Sequence, residues 1–249
     1  MIDLHSHILP GVDDGARTLE ESLEIARAAV ADGIEAMAAT PHVREDYPTE
    51  AGTMEQRVEE LRAALVAAGV PLQVYTGGEI AFDRVADLDP EDRRRFGLGG
   101  NPGYLLVEFP YYGWPLSLAD HLFHLQVAGC TPVLAHPERN AEVQAAPERL
   151  EPIVEAGTLV QVTAASLDGR LGRTAQEAGL QLIELRCAHL IASDAHHPGI
   201  RAVGMAAAAR AVGDEALARW LTVDVPRAMV DGSELPERPE PRRRGWFRR

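Results

Sequence analysis

Short apolar segments alternate along this chain with longer segments of helical periodicity, and the pair repeats seven times. Short apolar runs between turn signals are typical of strands that are buried on both faces of a parallel sheet. Seven β/α repeats within 249 residues predict one α/β domain that closes, or nearly closes, as a parallel barrel. The predicted strands are 2–5, 34–39, 72–76, 104–108, 131–135, 159–163 and 189–193.

Histidines and carboxylates cluster at or just after the ends of six of these predicted strands. The first strand runs into His5-Ser6-His7, and the last is followed by Asp194-Ala195-His196. Side chains two residues apart in a strand share a face, and the carboxyl ends of barrel strands meet at one end of the barrel. The candidate ligands at these positions are His5, His7, Asp14, His42, Glu79, Glu108, His136, Asp194 and His196.

The chemistry of that set predicts bound metal ions. Converging carboxylates repel one another unless cations neutralise them, and three or four carboxylates with four or five imidazoles can hold more than one ion. Oxygen and imidazole ligands without a thiolate suit Mn, Fe or Zn. Neighbouring ions favour hydrolysis, because they activate water and hold the attacking and leaving oxygens.

The chain contains no lysine, since all 24 of its Lys and Arg residues are arginine. Many barrel hydrolases that begin with His-x-His bridge two metal ions through a carboxylated lysine, and this sequence offers none. Glu79, after the third predicted strand, is therefore predicted to be the bridging ligand.

Two arginines, Arg139 and Arg201, follow His136 and Asp194 closely in the sequence. Guanidinium groups make paired hydrogen bonds to phosphate oxygens. Arginines beside metal ions in an acidic protein indicate an anionic substrate, with a phosphate as the first candidate. Both arginines are predicted to bind the substrate and to stabilise its phosphoryl oxygens in catalysis. For either one alone, an ordinary surface arginine on a loop is the alternative.

Charge and hydropathy exclude several function classes. The formal charge of −14 argues against general nucleic-acid binding, which depends on neutralising phosphates. No apolar run reaches the ~18 residues that a transmembrane helix needs, and no signal peptide is expected ahead of the first strand. Two cysteines do not make a disulfide framework, so a cytoplasmic location is predicted.

Two segments differ from the repeats. Residues 86–101 combine a charged run with three glycines and are predicted to be an exposed excursion. Residues 1–232 are predicted to form the domain, and residues 233–249, rich in proline and arginine, a flexible basic tail. Trp246 and Phe247 beside the arginines allow weak peripheral contact with an anionic membrane or an acidic partner, although a solubilising terminus is the simpler interpretation.

The opening of the chain, through Val12-Asp13-Asp14-Gly15, resembles the PHP-superfamily tyrosine-protein phosphatases of bacterial capsule and exopolysaccharide operons. Similar motifs follow in order over roughly residues 1–230. They are Thr40-Pro41-His42, Gly78-Glu79-Ile80, Val107-Glu108-Phe109, Ala135-His136-Pro137-Glu138-Arg139 and Ala192-Ser193-Asp194-Ala195-His196. The segment at the end of the sixth predicted strand, from Gln161 to Ser166, departs from the pattern because it lacks an expected Asn.

The resemblance implies a distorted (β/α)7 barrel with up to three metal ions, manganese first and iron or zinc as alternatives. Arg139 and Arg201 match positions that bind the substrate phosphate. The implied ligand sets are His5, His7, Glu79 and Asp194 for one ion, Glu79, Glu108 and His136 for a second, and Asp14, His42 and His196 for a third.

The function implied by the resemblance is hydrolysis of phosphotyrosine in a protein, such as a bacterial tyrosine kinase that controls polysaccharide export. A phosphatase for a small metabolite such as histidinol phosphate is one alternative. A non-catalytic module that binds a phosphorylated partner is another, from a different class. The resemblance also leaves a homo-oligomer open.

Overall fold

All pairings between the strands are parallel, and they follow the predicted β/α repeats. The computed structural model describes residues 1–199 and 201–240. Its strands are β1 (Ile2–Ser6), β2 (Ala36–Ala39), β3 (His42–Val43), β4 (Gln73–Tyr75), β5 (Glu79–Ala81), β6 (Tyr104–Glu108), β7 (Thr131–Ala135), β8 (Leu159–Thr163) and β9 (Leu190–Ala192).

Two of the seven barrel positions are each filled by two short strands, and the second of each pair, β3 or β5, lies beyond the predicted bounds of 34–39 or 72–76. Pro41 separates β2 from β3, because proline has no N–H to donate to a neighbouring strand. Gly77 and Gly78 separate β4 from β5, and a Cβ at Gly78 would lie 2.5 Å from the ring of Phe96. β2 pairs with β1 and β4, while β3 pairs with β5, so β2 with β3, and β4 with β5, each occupy one position in the ring.

The last strand returns to the first and closes that ring. The Asp194 N–H donates to the His5 carbonyl at 2.9 Å, and the His7 N–H donates to the Ala195 carbonyl at 2.8 Å. The order is therefore β1, β2/β3, β4/β5, β6, β7, β8, β9 and β1 again. The predicted α/β fold of a distorted seven-stranded barrel is confirmed.

Amphipathic helices cover the outside of the strands. Thr18 begins the first helix, since its side chain accepts from the Glu21 N–H, and left-handed Gly69 ends the second at φ 65°. The helices are α1 (Leu19–Ala31), α2 (Ala51–Ala68), α3 (Pro90–Arg95), α4 (Leu118–Val127), α5 (Ala141–Ala145), α6 (Glu151–Glu155), α7 (Ala164–Leu167), α8 (Arg173–Glu184), α9 (Met205–Val212), α10 (Glu215–Arg219) and α11 (Val225–Asp231).

The segment 86–101 is only partly the exposed excursion that its composition predicts. Helix α3 has no buried residue, which agrees with the prediction. Phe96 and Leu98 are almost completely buried in the core, so this half of the prediction is wrong. Both side chains directly follow the charged run, and Phe96 packs against Gly78, which anchors the excursion to the core.

The residues after α11 run along the barrel as far as the structure describes them. The Trp220 indole N–H donates to the Pro236 carbonyl at 2.9 Å. Arg238 donates to the Ala188 carbonyl at 2.9 Å and to the Ile183 carbonyl at 2.6 Å. Residues 233–240 thus contact the body, while the proposed division at 232/233 stays a prediction. The last nine residues, with Trp246 and Phe247, lie outside the described part of the chain.

No helix among the described residues is long and apolar enough to cross a membrane.

Buried His189 is expected to make the free energy of unfolding depend on pH. Its Nδ1 accepts from the Val160 N–H at 3.2 Å, which requires a neutral ring. Burial, and then the charge of Arg238, lower the pKa of His189 from 6.5 to about 4. The unfolded state therefore takes up the proton more readily, and stability is lost as the pH falls from 6.5 toward 4.

We expect His189→Asn, which keeps an acceptor near Nδ1, to remove this part of the pH dependence. Between pH 7 and pH 5 the metal-free wild type should lose more stability than the variant, by on the order of 1 kcal/mol for this partly exposed ring. Urea unfolding at both pH values measures the difference. His124→Asn, on the exposed face of α4, is the control, and equal losses in all three proteins would contradict the prediction.

Candidate metal centre

The structure brings all nine candidate ligands together at the carboxyl ends of the strands. Their donor atoms form four overlapping groups, and within each group the atoms lie within 4.8 Å of one another. Asp14 alone is exposed, and the other eight are buried. The groups are His5, His7 and Asp194; His5, Glu79 and His136; His42, Glu79 and Glu108; and His7, Asp14, His42 and His196.

One set of four atoms has the spacing of ligands around a single ion. His5 Nε2 and His7 Nε2 lie 3.3 Å apart, and each is 3.3 or 3.4 Å from Glu79 Oε2 and from Asp194 Oδ1. Ligands at 2.0–2.2 Å from a tetrahedral ion stand about 3.3–3.6 Å apart. Glu79 Oε2 and Asp194 Oδ1 are buried, and each lies within 3.4 Å of three imidazole nitrogens without a well-formed hydrogen bond. The donor set therefore fits a cation.

Glu79 also reaches the imidazoles on the other side of the cluster. Its Oε1 lies 2.8 Å from His136 Nε2, and its Oε2 lies 2.9 Å from His42 Nδ1. Glu108 is next to His42, at 3.8 Å, rather than beside His136 as the implied second set would have it. The central position of Glu79 suits a bridging carboxylate, a role that stays a prediction.

The third set lies at the mouth of the barrel. Asp14 Oδ1 is 3.3 Å from His42 Nε2 and 3.3 Å from His196 Nε2. The rings of His7 and His196 are only 3.8 Å apart between centroids. Since Asp14 is the one exposed member, this is the part of the cluster nearest to solvent.

Strained backbone aims two of the ligands. His136 and Asp194 have φ of 38° and 52°, in the left-handed region that residues other than glycine rarely adopt. His136 directly follows β7, and Asp194 lies two residues beyond the end of β9. Such strain is concentrated at functional sites, where the surrounding structure compensates for it.

Two carboxylates of the cluster, Glu79 and Asp194, are ionised in spite of their burial, whereas burial and the nearby charge of Glu79 raise the pKa of Glu108. Burial alone would raise the pKa of Glu79 and of Asp194, but His5 and the other neighbouring cationic groups hold the pKa of both well below the usual range. Burial would also lower the pKa of His42, yet Asp14 and Glu79 raise it to about 9. Ionised carboxylates at this depth need compensating positive charge. Without metal, protonated imidazoles supply that charge, and bound metal ions would replace those protons.

Asp13 orients two of the histidines from the side away from the cluster. The sequence pointed to its neighbour Asp14 as a ligand and did not reveal this role of Asp13. Its Oδ2 accepts from His7 Nδ1 at 2.7 Å and from the His42 N–H at 2.9 Å. A carboxylate with a pKa lowered to about 2 can only accept, so Asp13 keeps a proton on His7 Nδ1. When a metal ion replaces the second proton of this ring, the Nε2 lone pair would face the cluster.

Gln161 orients His5 in the same way. From the sequence, its segment was notable only for lacking an Asn that the family pattern has. Its Oε1 accepts from the His136 backbone N–H at 3.2 Å and lies 3.0 Å from His5 Nδ1. A backbone N–H can only donate, which fixes the amide oxygen on this side. His5 Nδ1 is then the donor, and Nε2 is left free for a metal.

The two predicted arginines contact the cluster by donating hydrogen bonds to Asp194. Arg139 Nη1 donates to Asp194 Oδ2 at 2.5 Å, and Arg201 Nη2 donates to the same oxygen at 2.8 Å. Both guanidinium groups remain partly exposed, so an anion at the mouth can reach them. Arg44, which the sequence analysis did not select, lies 3.4 Å from Glu108.

The chain belongs to the CpsB/CapC family of capsular polysaccharide synthesis, whose sequence profile matches residues 1–229. It is 38% identical over 198 residues to tyrosine-protein phosphatase YwqE of Bacillus subtilis, covering 79% of this chain and 78% of the relative. It is 33% identical over 199 residues to the putative tyrosine-protein phosphatase CapC of Staphylococcus aureus, covering 79% and 77%. The family predicted from the motifs is confirmed.

The fold agrees with a solved relative over almost its whole length. One chain from the crystal structures of YwqE of Bacillus subtilis and CpsB of Streptococcus pneumoniae, described as unique metal-dependent tyrosine phosphatases, superposes with a TM-score of 0.86. The match covers 97% of this chain and 100% of that chain, at 32% identity.

We expect divalent metal to stabilise the protein, because it relieves the repulsion among buried carboxylates. Mn²⁺ at about 100 times its Kd contributes about 2.7 kcal/mol, or roughly 5–10 °C in Tm for a domain of this size. Thermal unfolding in EDTA and in Mn²⁺ measures the shift. Asp194→Asn should reduce it and the surface control His124→Asn should not, and equal Tm values with and without metal would argue against a metal site.

We expect Gln161→Leu to weaken metal binding without removing a ligand, because His5 loses the partner that fixes its tautomer. Orienting residues of this kind are worth about 10- to 100-fold in metal affinity. Calorimetric titration with Mn²⁺ measures the change. Gln56→Leu, on the exposed face of α2, is the matched control, and an unchanged Kd in Gln161→Leu would remove Gln161 from this role.

Proposed function

We propose that this protein is a metal-dependent phosphatase that hydrolyses phosphotyrosine in proteins. The observation that carries the proposal is the set of four donor atoms at 3.3–3.4 Å, with two partly exposed arginines on the adjacent Asp194. The relatives named tyrosine-protein phosphatases supply the substrate class.

The metal ligands in this proposal are the nine clustered residues, with manganese as the first candidate, iron or zinc as alternatives, and up to three ions. His5, His7, Glu79 and Asp194 would hold one ion, and Glu79 would share its carboxylate with the others. When bound, the ions supply an activated water and neutralise phosphoryl charge. The absence of thiolate among the nine supports this choice of metals.

Arg139 and Arg201 bind and orient the phosphoryl group in this proposal. Both donate to a single oxygen of Asp194, and each guanidinium has further N–H groups. A phosphate at the mouth of the barrel would receive those donors, and their charge would stabilise the transition state. Asp194 keeps the two guanidinium groups aimed before the substrate arrives.

A cysteine nucleophile is not part of this mechanism. Burial raises the pKa of Cys130 and of Cys187 to about 11 each, so neither thiol forms the thiolate that attacks phosphorus at neutral pH. Cys130 precedes β7 and Cys187 precedes β9, at the end of the barrel opposite to the cluster.

The finer assignments rest on the family. The membership in a capsular polysaccharide synthesis family supports a tyrosine kinase of capsule or exopolysaccharide synthesis as the substrate protein, in the cytoplasm. The small-metabolite alternative would use the same ligands and arginines, so substrate preference separates the two. A binding-only module would not need all nine donors and both arginines in place, as they are here.

The test compares phosphate release by the Mn²⁺-loaded protein from a phosphotyrosine peptide and from histidinol phosphate at equal concentration. We expect preference for the peptide, loss of activity in EDTA, and no loss after thiol alkylation. Arg139→Ala should lower kcat/KM by about 10²–10³-fold. Arg173→Ala, on an exposed helix face, is the control.

Preference for histidinol phosphate would keep the site and move the protein into small-molecule metabolism. Activity that survives exhaustive chelation would overturn the metal mechanism. Tight binding of the phosphopeptide with no turnover in any metal would favour the binding module.

A further inference from the structure

A cavity of about 600 Å³ opens beside the metal cluster, between the loops that follow β5 and β6. Glu108 lies in its wall and belongs to the cluster as well. Four aromatic side chains line it too, Phe82 from one loop and Tyr111, Tyr112 and Trp114 from the other, and the charged side chains of Arg44 and Asp83 complete the wall. From the sequence, Tyr111, Tyr112 and Trp114 after β6 could either line the pocket or pack elsewhere, and Phe82 carried no signal of a role.

The aromatic wall is joined directly to the groups proposed to bind phosphate. The ring of Tyr111 stacks on the ring of His136, with centroids 5.8 Å apart and planes 9° from parallel. The guanidinium of Arg139 lies over the same Tyr111 ring, 5.0 Å from its centroid. Tyr111 therefore lies between Arg139 and the cavity, on the path that a ligand with its phosphate at Arg139 would follow.

Three of the aromatic side chains are held in place by their own neighbours. Phe82 stacks on His121 at 4.9 Å, and Trp114 meets Phe109 edge to face at 5.7 Å. Arg149 covers the Trp114 ring at 4.2 Å. The cavity thus has preformed walls, which spare a ligand the cost of ordering them.

Tyr112 is different, because 85% of its surface is exposed to solvent. Large aromatic side chains left exposed around a concave apolar surface mark a ligand site more often than a random feature of the surface. Aromatic ligands stack on such side chains offset or edge to face. An aliphatic phosphate ester would leave these rings without a partner.

We propose that this cavity receives the phenyl ring of the substrate phosphotyrosine and that Phe82 and Tyr112 determine the preference for aryl phosphates. This inference rests on the proposed function, since it places the phosphate at the arginines. The metal cluster and the arginines recognise the phosphate, which aryl and alkyl phosphates share. The cavity would recognise the aromatic ring that only aryl phosphates carry.

The test is calorimetric binding of phenylphosphonate and of methylphosphonate to the Mn²⁺-loaded protein, which needs no turnover. We expect Phe82→Ala and Tyr112→Ala each to weaken phenylphosphonate about 3- to 10-fold, with methylphosphonate changed less than about 2-fold. Tyr112→Phe should retain the wild-type values. Phe123→Ala, an exposed aromatic of α4 outside the cavity, is the matched control.

Equal weakening of both phosphonates, or no change in either, in both alanine variants would overturn the inference. Phosphate release from phosphotyrosine and phosphoserine peptides of one sequence separates this failure from that of the proposed function. If the wild type hydrolyses phosphotyrosine and the variants keep its preference for phosphotyrosine over phosphoserine, the aryl site alone is refuted. A wild type without turnover refutes the proposed function, while the phosphonate titrations still decide the cavity.

Discussion

The fully buried carboxylate of Glu79 is the interaction on which the rest of the site depends. It lies within 3.4 Å of imidazoles from β1, from β3 and from the turn after β7, so it joins strands on opposite sides of the barrel. A lone carboxylate in this position would cost several kcal/mol in lost hydration. The barrel compensates by aiming cationic or metal-binding groups at it, and the β4–β5 break at Gly77 and Gly78 delivers Glu79 to that point.

Much of this could be predicted from the sequence, because the relevant signals are local. Each ligand follows an apolar run, and the rule that strand ends converge turns nine scattered residues into one cluster. The closing pair, His5 and Asp194, illustrates this, since closure of the barrel brings residues 189 positions apart within 3.4 Å. The prediction needed the order of the strands and no detail of packing.

What the sequence did not reveal depends on contacts between distant segments. Gln161 contacts His5 from β8, two strands away in the ring, and no neighbouring residue in the sequence indicates this role. Asp13 and Asp14 are adjacent residues of the same type. Only the loop backbone determines that Asp13 orients His7 through Nδ1 while Asp14 lies beside His42 Nε2 in the cluster. Phe96 is hidden in a charged segment, so its burial follows from its partner Gly78 rather than from its surroundings.

The anchoring of residues 233–240 gives the molecule two distinct ends. Arg238 is held by carbonyls that precede β9, whereas the cluster lies beyond the other end of the same strand. The described chain therefore leaves the barrel on the side away from its mouth. A surface or fusion partner joined at Glu240 itself would lie on that side and leave the mouth of the barrel open, so immobilisation there would present the cluster outward to a large substrate.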